Sequence, residues 1–373
     1  MKHTIKVFVF LNLITSMSLK RASSGENDKL VAVSVIYRHG ARGPSSSYPN
    51  DPYLDVTYWP NGLGQLVDEG KLGQFNLGKW LRNRYSSFLS EKYNASELLV
   101  RSTDVDRTLM SAGSNLAGLY YINNPSHEWK NGLPWDPIPI HTVPENIDEV
   151  ISMYRYCKKF EQLYTEAINS DFYKQLSVAY KNLFDLVSDK TGWGSVDLSQ
   201  LLHIYITFHI YETLNPSYLP DWANEINGTE LAYLAGLSLA RATVTKDLQR
   251  LQVGPFNNYL NNHFDGVIEG ISAKFLMISG HDGTIASILN AYGAYDYFPP
   301  EFCSTLIWEI RKNQAGNHYV NIFYKRDDSD NLVPIVVDQC SFDCEYVRFK
   351  SILQPITVDS AQWLKECEND DSD

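Results

Sequence analysis

The sequence predicts an α/β protein into which a smaller, mainly α-helical cap is inserted. Three short, largely apolar runs, Leu30–Ile36, Glu97–Arg101 and Lys274–Ser279, have the length and character of strands buried on both faces. The first and last break into Gly-containing loops, and apolar residues at helical spacing come after all three. Between the second and third runs, Tyr154–Leu186 and Leu198–Thr213 carry helical periodicity. A chain of 373 residues is long enough for one large core plus a satellite.

Residues 1–24 read as a secretory signal peptide, cut somewhere between 18 and 24. Lys2, His3 and Lys6 precede the apolar Val7–Ile14, and the small residues Ser16, Ser18, Ala22 and Ser24 follow. The apolar run falls short of the ~20 residues that span a bilayer. The first part of the α/β domain is expected over 25–125. It holds the strand Leu30–Ile36, a helix over Gly64–Leu81 whose glycines allow close packing on the sheet, the strand Glu97–Arg101, and a helix over Val105–Tyr121. Ser102, Thr103 and Asp104 are the candidate caps of that last helix. Pro, Asn and Trp concentrate over Asn123–Pro144, which marks a connection. The cap follows over 126–228, with a turn at Thr191–Gly194. The second part of the α/β domain, 229–367, comprises a long helical pattern over Glu230–Asn262, the strand Lys274–Ser279, a helix through Ile285–Leu289, and strands at Ser304–Trp308 and His318–Tyr324. Residues 368–373 read as a solvated acidic tail.

The formal net charge is -12, and removing the four cations of the leader (Lys2, Lys6, Lys20, Arg21) takes it to -16. So acidic a surface argues against nucleic-acid binding, which needs a basic face. An anionic ligand must then be captured by local arginines. No later stretch is long and apolar enough for a membrane anchor. The sequons Asn94-Ala95-Ser96 and Asn227-Gly228-Thr229 are candidate glycosylation sites, and with the leader they point to an extracellular protein. Among the five cysteines, Cys340 and Cys344 are close enough to clip a loop.

The chemistry concentrates at two strand ends. Tyr37-Arg38-His39-Gly40-Ala41-Arg42-Gly43-Pro44 places a histidine between two arginines where the first strand stops. Guanidiniums bind phosphate oxygens bidentately, and α/β sheets bind ligands at the carboxyl ends of their strands, so the segment reads as a phosphoryl-transfer site. Gly280-His281-Asp282-Gly283-Thr284 repeats the arrangement at the end of the third run. Arg107, in the first turn of its helix, opposes the helix dipole, and a bound phosphate would compensate it. Each residue also has a structural reading: Asp282 could merely cap its helix and Arg107 could be a solvated surface charge. Gly62 and Gly64 lack the third glycine and the preceding strand of a dinucleotide site, and no Walker loop, Gly-x-Ser-x-Gly elbow or zinc-ligand spacing is present. His203 and His209, six apart on a helix, are more consistent with packing than with metal ligation.

Together the Arg38-His39-Gly40-x-Arg42-x-Pro44 loop, the Leu99–Ala112 segment and the His281-Asp282 pair resemble the histidine acid phosphatase family, over about Leu30 to Cys367. The likeness extends to its secreted animal members, including those of insect venoms. The resemblance implies a phosphoglycerate-mutase-like mixed sheet flanked by helices. It also implies a secreted phosphoric monoester hydrolase of the acid phosphatase type. His39 would be the nucleophile, forming a phosphohistidine, and Asp282 the general acid. Arg38, Arg42, Arg107 and His281 would bind the phosphate, with no metal or cofactor required. It further implies a Cys157–Cys367 disulfide and a possible homodimer. The position that would pair with Cys303 is taken by Tyr211, which leaves Cys303 a free, buried thiol, with an intermolecular bridge as the alternative. Ala41 stands where many secreted animal members have aspartate and phytase-type members have alanine. Phytase and lysophosphatidate phosphatase are thus the alternatives within the family, and a non-catalytic secreted phosphate-binding effector is the alternative outside it. Substrate choice is expected to lie in the cap, through Trp135, Tyr154 and Trp193.

Overall fold

A computed structural model describes residues 28–121, 128–153 and 155–368. The expected signal peptide, Tyr154 and the tail beyond Glu368 lie outside these residues. The strands are β1 (Lys29–Arg38), β2 (Leu98–Ser102), β3 (Phe275–Gly280), β4 (Thr305–Lys312), β5 (His318–Lys325), β6 (Val333–Ile335) and β7 (Cys344–Glu345). They form one mixed sheet in the order β2-β3-β1-β4-β5-β6, with β7 added to β5. The β1/β3 and β2/β3 pairs are parallel, whereas β4, β5, β6 and β7 join antiparallel. The parallel strands end level, since Arg38 pairs with Gly280 and Ser102 with Ser279. This register sets His39, Thr103 and His281 side by side just beyond the sheet.

Side chains alternate across β1. Ala32 and Ile36 join one core with Leu276, Ile278 and Trp308; Val33, Val35 and Tyr37 join the other with Phe275, Met277 and Ile307. The second core is closed by helices α1 (Asp68–Arg84) and α2 (Asp106–Leu119). The glycines of α1 pack differently from expectation. A Cβ on Gly78 would collide with the Asn115 carbonyl of α2, whereas Gly70 packs on the Ala41 backbone in the loop after β1 and Gly73 on Cys303 Sγ. Helix α1 also begins four residues late, because Gly62 and Gly64 sit at φ 97° and 71° in a preceding turn.

The cap contains helices α3 (Lys158–Ile168), α4 (Asp171–Ala179), α5 (Lys181–Thr191) and α6 (Leu198–Leu214). Phe184, Val187, Leu201, Ile204 and Phe208 form its own core with Leu234 of α7 (Gly228–Ala240). The expected turn is present, with Gly192 at φ 82°. The long pattern over Glu230–Asn262 is two helices, α7 and α8 (Lys246–Ile268), because Thr245 caps α8 by accepting from Leu248 N–H at 3.2 Å. Pro255 lies inside α8 without ending it. Proline lacks the N–H that would reach the Leu251 carbonyl, and the Trp363 indole donates there instead, at 2.7 Å. Helices α9 (Asp282–Ala291), α10 (Tyr346–Leu353) and α11 (Ser360–Glu368) complete the fold. Among the described residues no helix is long and apolar enough to cross a membrane.

Cys157 is bonded to Cys367 and Cys340 to Cys344, while Cys303 is a buried free thiol whose pKa burial pushes up to about 12. The two bridges close loops of 210 and 4 residues. In the chain-entropy account, replacing the first pair by serine is expected to cost about 5 kcal/mol, and replacing the second about 2. Urea unfolding of the two double variants side by side checks the difference. Both sequon asparagines are exposed. Asn94 Oδ1 accepts from the Ser96 N–H, and Asn227 caps α7 through its Oδ1, so both side chains are engaged through oxygen.

Candidate active site

Each strand of the parallel trio delivers a polar side chain to the same hollow. Arg38, the last residue of β1, is 2 % exposed. Its Nη1 donates to the Pro300 carbonyl at 2.6 Å, its Nη2 lies 3.0 Å from Asp282 Oδ2, and the Phe302 ring covers its guanidinium at 4.1 Å. The buried Nε of Arg38 and that of Arg42 find no acceptor among the described residues. The loop after β1 stays tight because a Cβ on Gly40 would collide with the Gly70 carbonyl of α1, and the Gly40 N–H donates to Ser111 Oγ at 3.1 Å. Arg42 is pinned by donation to the Gly43 carbonyl at 2.9 Å.

His39 is 2 % exposed, and its Nδ1 lies 2.8 Å from the Gly40 carbonyl. A carbonyl only accepts, so Nδ1 carries the proton and Nε2 keeps the lone pair. The His281 ring lies edge-on to it at 5.7 Å. Burial, together with the charges of Arg38, Arg107 and Arg42, holds the His39 pKa well below the ordinary 6.5. His281 is lowered to about 3, by burial first and then by Arg107. Arg107, in the first turn of α2, thus acts on both histidines and also on Arg42, whose pKa falls to about 9 through burial and the charges of Arg107 and Arg38.

Asp282 opens α9 but is not its cap. The N-cap is His281, and Asp282 Oδ1 accepts from the adjacent Gly283 N–H, at 2.8 Å, while Oδ2 faces Arg38. Burial raises the Asp282 pKa, but Arg38 and Arg42 outweigh it and leave it lowered. Ser102, Thr103 and Asp104 do not cap α2 either. Val105 is the N-cap and makes no side-chain bond, and Thr103 is turned instead toward His281, with its Oγ1 3.0 Å from Nε2. His209 does more than pack. It stacks on Phe302 at 5.2 Å, and its Nε2 stands 3.0 Å from Glu301 Oε2, which puts helix α6 against the loop that holds Arg38. His203 lies edge-on to Trp193 at 6.4 Å, as a packing residue does. Trp135 is exposed, and Trp193 is half-buried against the cap core. Glu301 and Phe302 carried no motif that singled them out, and Thr103, read as a candidate cap, is brought to His281 by the strand register.

The hollow therefore gathers three guanidiniums against one carboxylate inside an acidic protein. A profile of the histidine phosphatase superfamily (branch 2) matches residues 29–324. The chain belongs to that superfamily. Among the relatives of this histidine phosphatase, prostatic acid phosphatase of Bos taurus is 33% identical over 340 residues, covering 90% of this chain and 87% of the relative. Lysosomal acid phosphatase of Xenopus laevis is 33% identical over 354 residues, covering 92% and 80%. Among solved structures, apo phytase from Hafnia alvei superposes with a TM-score of 0.68 at 16% identity, covering 93% of this chain and all of that one, which speaks to the fold alone. This histidine phosphatase is a phosphoric monoester hydrolase of the acid-phosphatase/phytase branch. Its kinship and its two disulfides place it with secreted, extracellular proteins.

Proposed function

We propose that the protein is a secreted acid phosphatase that hydrolyses phosphate monoesters through a phosphohistidine on His39, with Asp282 as general acid. The observation that supports it most is the fixed imidazole: Nδ1–H is held by the Gly40 carbonyl, so a lone pair is left on Nε2 among three guanidiniums. Arg38, Arg42 and Arg107 would hold the phosphoryl oxygens and stabilise the charge developing on them. His281 would add a hydrogen bond to one of those oxygens. Attack by Nε2 forms the N–P bond and breaks the P–O bond to the leaving alkoxide, which takes its proton from Asp282. Water then attacks the phosphohistidine, losing its proton to the same carboxylate, and releases phosphate.

Asp282 has to be protonated for this, yet Arg38 keeps it ionised in the unliganded protein. Substrate resolves the conflict. A phosphoryl oxygen competes for the Arg38 guanidinium and brings a negative charge beside the carboxyl, and both effects raise its pKa. The block of helices over 126–228 is the part to which we assign leaving-group selection. The prostatic and lysosomal relatives, each 33% identical to this chain, are acid phosphatases, which favours that reading over a phytase. Rapid quenching into alkali with a phosphate-labelled ester tests the proposal. A base-stable, acid-labile label on His39 is the expected result, and label elsewhere overturns it.

The electrostatics also fix the direction of a pH effect. A histidine whose pKa is depressed stays neutral well below its ordinary value, so His39 remains nucleophilic at pH values where a free histidine is protonated. The acid limb of kcat/KM on p-nitrophenyl phosphate is therefore expected below 6.5, the ordinary histidine value. A limb at or above that pH would contradict the assignment of free imidazole to the nucleophile.

A further inference from the structure

Two non-glycine residues in left-handed backbone bracket the loop that grips Arg38: Tyr297 at φ 62° and Cys303 at φ 63°. Side chains of this kind enter that region at a cost, so the loop is strained at both ends and needs outside contacts to keep its course. One contact comes from α7, where a Cβ on Gly236 would lie 1.8 Å from the Tyr297 carbonyl, so the start of the loop is pressed against the helix backbone. The other comes from α6 in the cap. His209 Nε2 stands 3.0 Å from Glu301 Oε2, its ring stacks on Phe302 at 5.2 Å, and Tyr205 stacks on the same imidazole at 5.8 Å. Burial alone would raise the Glu301 pKa, but His209 and Arg38 outweigh it and leave it lowered, so His209 faces a carboxylate. The residues on either side of Glu301 meet Arg38, Pro300 through its carbonyl at 2.6 Å and Phe302 through its ring at 4.1 Å.

We infer that His209 is a positioning residue: from the cap it fastens the strained Pro300–Phe302 loop onto Arg38, and so keeps that guanidinium available to a phosphoryl group. The inference rests on the phosphatase reading for its consequence, since it is the bound anion that needs Arg38 in place. Arg38 has a competing partner at hand, because Asp282 Oδ2 lies 3.0 Å from its Nη2. While the Pro300 carbonyl engages Nη1, the guanidinium meets that carboxylate through one nitrogen. With the loop released, a second nitrogen can turn onto Asp282 and close the two-bonded pair that guanidinium and carboxylate favour, which phosphate would then have to break. The strain at Tyr297 and Cys303 is what makes release follow from the loss of a fastening, since such backbone persists where its surroundings over-determine it. The seating of α6 against the loop thereby becomes a condition for tight anion binding.

Inorganic phosphate is the probe, because it carries no leaving group for the cap to select. In isothermal titration of the intact protein, His209→Ala is expected to weaken phosphate binding by roughly tenfold, within the range over which contacting residues couple. Glu301→Gln removes the charge that His209 faces, at a half-exposed side chain whose change does not threaten folding, and is expected to weaken binding by roughly threefold. A double-variant cycle separates positioning from a general loosening of the cap. In an Arg38→Ala background, His209→Ala is expected to change phosphate affinity by less than about twofold, because the group through which it acts is gone; a loosened cap would cost the same factor in either background. Nitrogen-15 spectra of the arginine side chains, recorded without ligand, follow the buried Arg38 Nε–H directly. Its exchange with solvent is expected to quicken in His209→Ala and in Glu301→Gln, and the second variant still decides the matter if the first fails to fold. An Arg38 signal unmoved in both variants, or a full loss of affinity that persists without Arg38, overturns the inference. An Arg38 signal that loosens as expected, with phosphate binding indifferent to Arg38→Ala, would instead sink the phosphate-binding role of Arg38 and leave the fastening intact.

Discussion

Replacing His39 by alanine is expected to lower kcat on p-nitrophenyl phosphate by roughly 10⁴-fold or more, the scale on which covalent nucleophiles contribute. Inorganic phosphate should still bind, because Arg38, Arg42 and Arg107 remain and the imidazole is neutral, so its loss removes no charge. The retained arginines would leave slow direct attack by water as the residual reaction. Two measurements separate a nucleophile from a base that merely activates water. In the wild type, a phosphohistidine would partition between water and an added alcohol in a ratio independent of the ester used, because every ester passes through the same intermediate. In the His39→Ala variant that transfer should vanish while isothermal titration still reports phosphate binding. Turnover within tenfold of wild type would sink the assignment, as would a partition ratio that changes with the leaving group.

The strands that carry the site were legible because they are buried on both faces and therefore largely apolar: Leu30–Ile36, broken only by Ser34, and Phe275–Ile278 have no polar face to confuse the reading. β4 was read short for the opposite reason. It continues past Trp308 through Glu309, a carboxylate that looks like the end of a strand and is in fact 1 % exposed. Arg84 at 2.7 Å, Arg311 at 2.8 Å and the Tyr85 hydroxyl at 3.0 Å neutralise it, and two of these partners lie more than 200 positions away. Thr103 was misread in the same way. A threonine before a helix is the ordinary signal of a cap, and only the β2/β3 register shows that it faces His281 instead. The arginines and histidines were legible as chemistry because short motifs hold them. The Pro300–Phe302 loop that grips Arg38 had no such motif, since its contacts are a backbone carbonyl and an aromatic face.

The loop that grips Arg38 also bears on how Asp282 should be tested, because removing the carboxylate alters Arg38 as well as the acid. With Nη1 on the Pro300 carbonyl and its face on Phe302, the guanidinium keeps two of its three constraints when Asp282 is replaced. Phosphate binding by Asp282→Asn should therefore persist, and lie above wild type if anything, since the competing anion is gone. Catalysis should split by leaving group. An alkoxide needs a proton as the P–O bond breaks, so kcat on a simple alkyl phosphate such as glycerol 2-phosphate is expected to fall by roughly 10² to 10⁴-fold. p-Nitrophenolate leaves without one, and its ester should lose far less. The dependence of rate on leaving-group pKa would steepen correspondingly. If both esters slow by the same factor, Asp282 serves only to hold Arg38 and the proton comes from elsewhere. If neither slows, the carboxylate has no part in the reaction, and the ion pair at 3.0 Å is purely structural.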